Sequence, residues 1–225
     1  MILCNYKILL NQRGNKKMRP IKKALIIVDM VNGFISEGNL HDPAINKITK
    51  TIVELAKAYI ANGDKIIAFK DCHTPNSPEL EVMPPHCMKG TSEVEQVAEL
   101  KKLESSPYME VVEKNCTDGF MVPGMPDKLK GFDELVVVGC CTDICVKNFV
   151  ISAKNYFNQR NERINIIVPE NAVETYHIAE VHERDEWNNM AFKFMQQASI
   201  KVVKEVTPEI TPDANIDGMQ KKTNN

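Results

Sequence analysis

No stretch of this 225-residue sequence approaches the roughly 18 consecutive apolar residues that cross a bilayer, so no membrane-spanning segment is expected. An excess of positive charge is also missing. The 28 basic and 30 acidic residues leave a formal net charge of -2, without the basic footprint that nucleic acid or an anionic lipid surface requires. The seven cysteines (Cys4, Cys72, Cys87, Cys116, Cys140, Cys141, Cys145) are odd in number and lack the paired close spacing of a structural zinc site. A reduced, cytoplasmic chain is the expectation. The opening MILCNYKILLNQRGNKK has only short apolar runs broken by Asn, Tyr and Lys, so no secretory leader is expected either. After the first strand the sequence reads MVNGF rather than a G-x-G-x-x-G turn, which argues against a dinucleotide role. What these absences leave is a globular chain with a small-molecule partner.

Short β-branched runs alternate with amphipathic segments, the pattern of an α/β fold with a mainly parallel sheet covered by helices on both faces. Six strands are expected: Ala24 to Asp29, Lys65 to Lys70, Met109 to Glu113, Glu134 to Gly139, Ile164 to Val168 and Ile200 to Val203. Between the first two, Asp42-Pro43 reads as a helix start and Gly63 as its stop, with Ile45, Ile48, Ile52, Leu55, Ala56 and Tyr59 forming one buried stripe. Glu93 to Leu103 reads as a second helix. Thr142 or Asp143 can cap a third, whose stripe is Val146, Phe149, Val150, Ala153 and Phe157, and a fourth runs through Trp187, Met190, Ala191, Phe194, Met195 and Ala198. Residues 1–20 read as a mobile extension, 21–206 as the domain and 207–225 as a polar tail. A Pro-rich loop from Thr74 to Gly90 far exceeds the usual connection of about 2 to 6 residues, which marks it as either functional or poorly ordered, the first being the expectation.

In an open parallel sheet ligands bind at the carboxyl ends of strands, and reactive side chains gather at those ends here. Asp29, Asp71 and Lys114 follow three strands, and Cys145 opens the helix after a fourth. A thiol at a helix N-terminus beside a cation is expected to have a lowered pKa, and a nearby carboxylate such as Asp29 could take its proton and return it to a leaving amine. Taken singly, each residue has a plainer reading: a small buried hydrophobe for Cys145, a turn residue for Asp29, a solvated charge for Lys114. A second group, Asp71-Cys72-His73 with Glu79 and His86, brings two imidazoles and two carboxylates within sixteen residues. Such a set can hold a borderline divalent metal, and Zn²⁺, Fe²⁺ and Mn²⁺ all fit; a polar loop with merely hydrogen-bonded histidines fits too. Glu79 is the weakest member, because Glu81 shares its short stretch. His41, His177 and His182 have no comparable company and receive no role.

Together, LIIVDMVNGF, FKDCHTPNSPELEVMPPHCMKGTSE, VVEKNCTDGF and LVVVGCCTDICV make residues 22 to 204 resemble the isochorismatase-like cysteine hydrolases, and nicotinamidases most closely among them. The resemblance implies a Rossmann-like strand order and a catalytic triad of Asp29, Lys114 and Cys145. It implies a cis peptide before Cys141, with the backbone N–H groups of Cys141 and Cys145 serving a developing oxyanion. It further implies metal ligation by Asp71, His73, Glu79 and His86, zinc being the first expectation, and packing of Phe34 on a substrate ring. Met83 departs from the pattern, since nicotinamidases often carry Trp or Phe there. The implied reaction is hydrolysis of nicotinamide to nicotinate and ammonia. Another amide, a vinyl ether, or a non-catalytic binding role on the same fold are the alternatives, and a homo-oligomer is expected by analogy alone.

Overall fold

The computed structural model describes residues 6–10 and 16–207. Cys4 and residues 208–225 of the expected tail lie outside them. Tyr6–Leu10 (β1) and Lys16–Pro20 (β2) pair antiparallel, Tyr6 opposite Pro20. This ribbon falls in the stretch set apart as an extension. Arg19 joins it to the domain through a two-pronged pair with Asp133, at 2.6 and 2.8 Å.

The main sheet comprises Lys23–Val28 (β3), Lys65–Asp71 (β4), Met109–Lys114 (β5), Glu134–Cys140 (β6), Asn165–Pro169 (β7), Val173–Glu174 (β8) and Lys201–Val203 (β9). Its order is β5-β4-β3-β6-β7-β9, with β8 against β6, and every pairing is parallel. Six strands were expected and seven are found; the two-residue β8 is too short to leave a pattern. The chain reverses direction across the sheet at β3 and β6, so the crevice outside their carboxyl ends is where an α/β sheet of this order receives its ligand.

Alternation along β3 divides the core. Leu25 and Ile27 join Ile45, Ile52 and Leu55 on one face, while Ala24, Ile26 and Val28 join Phe149, Val150 and Ala153 on the other. Each fully buried aliphatic side chain stabilises the fold by about 1.5–3 kcal/mol, which is why a strand covered on both faces reads as one continuous apolar run. The first expected helix is a 3-10 turn, Pro43–Ile48, continuing as Thr49–Asn62. Asp42 caps it by accepting from the Ala44 N–H, and Gly63 ends it at φ 73°, a left-handed conformation that glycine adopts without strain. All six residues of its expected stripe are buried, as are all five of the third helix's stripe, Val146 just before Lys147–Gln159 and the other four within it.

Three expectations need correction. Glu93 to Leu103 is not one helix but a 3-10 turn, Ser92–Val94, and a short helix, Ala98–Lys101. Between them the backbone pairs with the chain after β3: the Asn32 N–H donates to Glu95 O at 2.9 Å and the Val97 N–H to Met30 O at 3.0 Å. Tertiary pairing there overrides helical propensity. In the helix Arg184–Gln197 only Ala191 and Met195 are buried, and Met190 and Phe194 face outward. Finally, neither Thr142 nor Asp143 caps a helix. Thr142–Val146 is a single π-helical turn preceding Lys147–Gln159, with Cys141 at its N-cap and no side-chain cap bond. Among the described residues no helix is long and apolar enough to cross a membrane.

Candidate active site

Three strand ends and one turn deliver the reactive side chains to the crevice. Gly139 of β6 lies beside Val28 of β3 at φ 116°, and a Cβ there would sit 2.0 Å from the Val28 carbonyl oxygen. Only glycine permits that approach, which brings the Cys140-Cys141 segment against Asp29. The Cys140 thiol donates to Asp29 O at 3.1 Å, and the Cys140-Cys141 peptide bond is cis. Asp29 itself has φ 51°, a left-handed conformation that Asp tolerates better than most residues.

Lys114 is the hub. Its fully buried ammonium lies 2.9 Å from Asp29 Oδ2, 2.7 Å from Asp71 Oδ1, 3.0 Å from Cys116 O and 3.8 Å from Cys145 Sγ. Burial works against its charge, but Asp29, the Cys145 sulfur and Asp71 outweigh that and hold it protonated. For Asp29, burial dominates the opposing pull of Lys114 and raises the carboxyl from 3.8 to about 6. For Cys145 the expectation of a lowered pKa is overturned. Burial pushes the thiol well above its usual range, and Lys114, shared with two carboxylates, offsets only part of this. The thiol is therefore neutral at rest, and attack requires a neighbour to take its proton. Asp29 is the neighbouring base.

Asp71 links this group to the second. While Oδ1 faces Lys114, Oδ2 lies 3.0 Å from His73 Nε2 and 3.4 Å from His86 Nε2. The three ligand atoms fall within 4.8 Å of one another, and all three residues are buried. The opposite ring nitrogens are held by oxygens, His73 Nδ1 by Asn115 Oδ1 at 3.2 Å and His86 Nδ1 by Pro84 O at 2.9 Å. That leaves both Nε2 atoms turned inward, the arrangement of metal-binding imidazoles with outer partners. Two imidazole nitrogens and a carboxylate oxygen suit a zinc-like divalent ion. Glu79 stands at the edge of this cluster, with Oε2 3.7 Å from His73 Nε2 and Oε1 accepting from the Thr117 N–H at 2.8 Å.

Cys145, Cys141, Asp71 and His86 open into one cavity of about 660 Å³. Phe34 and Met83 line it as well, and the Phe34 ring lies 5.9 Å from that of His86. Some of its wall comes from residues to which the sequence assigned nothing. His41 and His177 line it, with Tyr176 and Arg184, and Asn115 supports His73 from behind. Asn115 directly follows Lys114, so its position was a usable signal; the others carry none in their spacing.

This chain matches the isochorismatase domain over residues 23–205. It is 39% identical over 156 residues to Nicotinamidase 1 of Arabidopsis thaliana, a match covering 61% of this chain and 64% of that protein. The chain thus spans slightly less than two thirds of that relative. Among solved structures it resembles the nicotinamidase PncA of Bacillus subtilis, with a TM-score of 0.69 and 30% identity over 81% of this chain and 99% of that one. The pyrazinamidase/nicotinamidase of Streptococcus mutans UA159 gives a TM-score of 0.69 and 27% identity over 81% of this chain and 100% of that one. The sheet order, and a domain match running from β3 through β9 and so across every strand end that feeds the cavity, lead to one assignment: the chain belongs to the isochorismatase family.

Proposed function

We propose that this protein is a metal-dependent cysteine amidohydrolase, cytoplasmic in location, that converts nicotinamide to nicotinate and ammonia. The observation that carries the reading is a single cavity into which Cys145, Asp71 and His86 all open, with the thiol and the two-histidine, one-carboxylate cluster behind it joined through Lys114 and Asp71. The relatives named nicotinamidase support the choice of substrate.

Asp29 takes the proton of Cys145, and Lys114 steadies the thiolate left behind. The sulfur attacks the carboxamide carbon, and the backbone N–H groups of Cys141 and Cys145 receive the developing oxyanion. The C–N bond then breaks, Asp29 returns its proton to the departing nitrogen, and ammonia leaves a thioester on Cys145. A water molecule deprotonated by Asp29 hydrolyses this thioester, releasing the acid and restoring the thiol. Asp71, His73 and His86, with Glu79 as a fourth donor, would hold the divalent ion, zinc in the first instance. Bound there, the ion supplies a Lewis-acid centre for the ring nitrogen of a pyridine amide. Phe34 and Met83 provide the apolar surface for the ring.

The test is ammonia release from nicotinamide by wild type and Cys145→Ala, with bound metal measured on both. The expected result is turnover in wild type alone, with equal metal in the two proteins. A wild type that is folded and metal-loaded yet releases no ammonia would direct the search to another amide.

A further inference from the structure

Two residues before Cys145, Asp143 is a buried carboxylate that the hydrolytic scheme does not use. Its Oδ1 accepts from the Thr175 hydroxyl at 2.5 Å and its Oδ2 lies 3.0 Å from His182 Nε2. The other ring nitrogen of His182, Nδ1, lies 3.1 Å from Tyr176 O. Both nitrogens thus face oxygens, which fixes the ring at its two ends. The ring is also clamped between two others, stacked on Tyr176 at 3.9 Å and on Trp187 at 4.5 Å.

An Asp at the opening of a helix ordinarily turns back to cap its own backbone. Asp143 instead reaches partners 32 and 39 residues downstream, and the turn it sits in has no side-chain cap. Those partners sit directly behind the cavity wall: Thr175 precedes Tyr176 in the chain, and the His182 ring stacks on Tyr176. Tyr176 and His177 line the cavity, and their segment folds back on itself, with the Ile178 N–H donating to His182 O at 3.0 Å and the His182 N–H to Ile178 O at 2.7 Å. The segment is also tied down by Asp42, which accepts from the His177 N–H at 3.0 Å and pairs with Arg184. His182 is where this wall and the turn carrying the thiol become one rigid unit.

We infer that Asp143, Thr175 and His182 are positioning residues that hold the Thr142–Val146 turn against the cavity wall, so that Cys145 stays aligned with Asp29, Lys114 and the bound amide. The turnover assay for this inference rests on the amidohydrolase reading, so alkylation of Cys145 by iodoacetamide, read at its own peptide by mass spectrometry, is followed in parallel without substrate.

Asp143→Ala is expected to lower kcat by about 100-fold, the scale of a nucleophile misplaced by an ångström, with KM and metal content little changed. Alkylation of Cys145 slows with it. Asp143→Asn, whose side-chain amide can accept from Thr175 and donate to His182, recovers about tenfold or more of the lost kcat. Thr175→Val removes one tether at nearly constant volume and lowers kcat about fivefold, the worth of one hydrogen bond, and it serves should Asp143→Ala fail to fold. The inference is overturned if the folded variants keep wild-type kcat and alkylation rates. It is equally overturned if Asp143→Asn rescues nothing, or if activity falls only in proportion to the folded fraction. A wild type alkylated at Cys145 that releases no ammonia from nicotinamide removes that substrate, and the alkylation rates then decide the positioning role alone.

Discussion

Two buried polar networks meet at Cys145, and they differ in how completely they are satisfied. On one side, both oxygens of Asp29 are buried without a well-oriented hydrogen bond, and the Lys114 ammonium at 2.9 Å serves as an ion-pair partner only. On the other, each oxygen of Asp143 has its own fixed donor, and the imidazole between it and Tyr176 is bonded at both ends. A buried carboxylate with incomplete solvation binds a proton more readily, whereas matched donors hold a carboxylate in one place. The first network is built to exchange a proton, the second to stay still.

The largest expected effect comes from removing the exchangeable proton. Asp29→Asn should lower kcat by roughly 10²- to 10⁴-fold, the usual contribution of a general acid-base, while folded structure persists. In wild type the same group predicts a pH profile. Base catalysis needs ionised Asp29, so kcat/KM should fall about tenfold per pH unit below about 6. Stability runs the other way for this residue. Its folded-state pKa lies above the ordinary 3.8, so its contribution to folding is fully present below 3.8 and is lost as pH rises through about 6. Asp71 is held below the ordinary value because Lys114, His73 and His86 outweigh its burial, so its contribution is present above 3.8 and lost in stronger acid. Between about pH 4 and 6 activity should therefore decline with no unfolding caused by this pair, which parallel rate and circular-dichroism measurements would check.

Lys114→Met is the next largest perturbation. It leaves Asp29 and Asp71 buried side by side without their shared cation, and removing one partner of a buried ion pair costs about 3–5 kcal/mol. Urea unfolding at pH 7 should show that loss, and the deficit should shrink toward pH 5 as Asp29 takes up a proton. The equivalent deletion in the second network, His182→Ala, should show no such dependence on Asp29. An equal pH response in both variants would erase the distinction between the networks.

The first network is legible in the sequence because its members occupy strand ends. A buried parallel strand announces itself as an apolar run, so the residue after LIIV, KIIAFK or MEVVE can be assigned to the crevice without a structure. The second is not legible, because Asp143 and His182 are 39 residues apart and His182 lies in a loop whose path depends on how the helix Arg184–Gln197 docks. The misread segment between Glu93 and Leu103 failed for a related reason: its helical composition competes with backbone pairing to Asn32 and Met30 that only the folded chain supplies. Asp143 shows the limit of local rules, since a cap is what its position suggests and a long-range tether is what it makes.

Support from behind matters in the first network too, at a smaller scale. Asn115 Oδ1 accepts from the Thr74 N–H at 3.1 Å and lies 3.2 Å from His73 Nδ1, which fixes the ring with Nε2 directed to Asp71. Loss of such an outer partner commonly weakens metal affinity by about 10–100-fold. Asn115→Ala should do so in a chelator competition while leaving the alkylation rate of Cys145 near wild type. A parallel fall in alkylation would mean that the metal cluster and the thiol are mechanically coupled through Asp71.

Met83 should give the smallest effect and the sharpest reading of substrate. It is half-buried, lines the cavity and stands where the resemblance calls for an aromatic ring. A thioether against an aromatic ring contributes about 0.3–1.5 kcal/mol, so Met83→Ala should raise KM about two- to tenfold at constant kcat if the contact is equal in ground and transition states. Met83→Trp should lower KM for nicotinamide, because a full ring face replaces a flexible chain. If Met83→Ala lowers kcat instead, the sulfur contacts the substrate mainly as the carboxamide rehybridises, and Met83 then belongs with the network that moves rather than the one that holds.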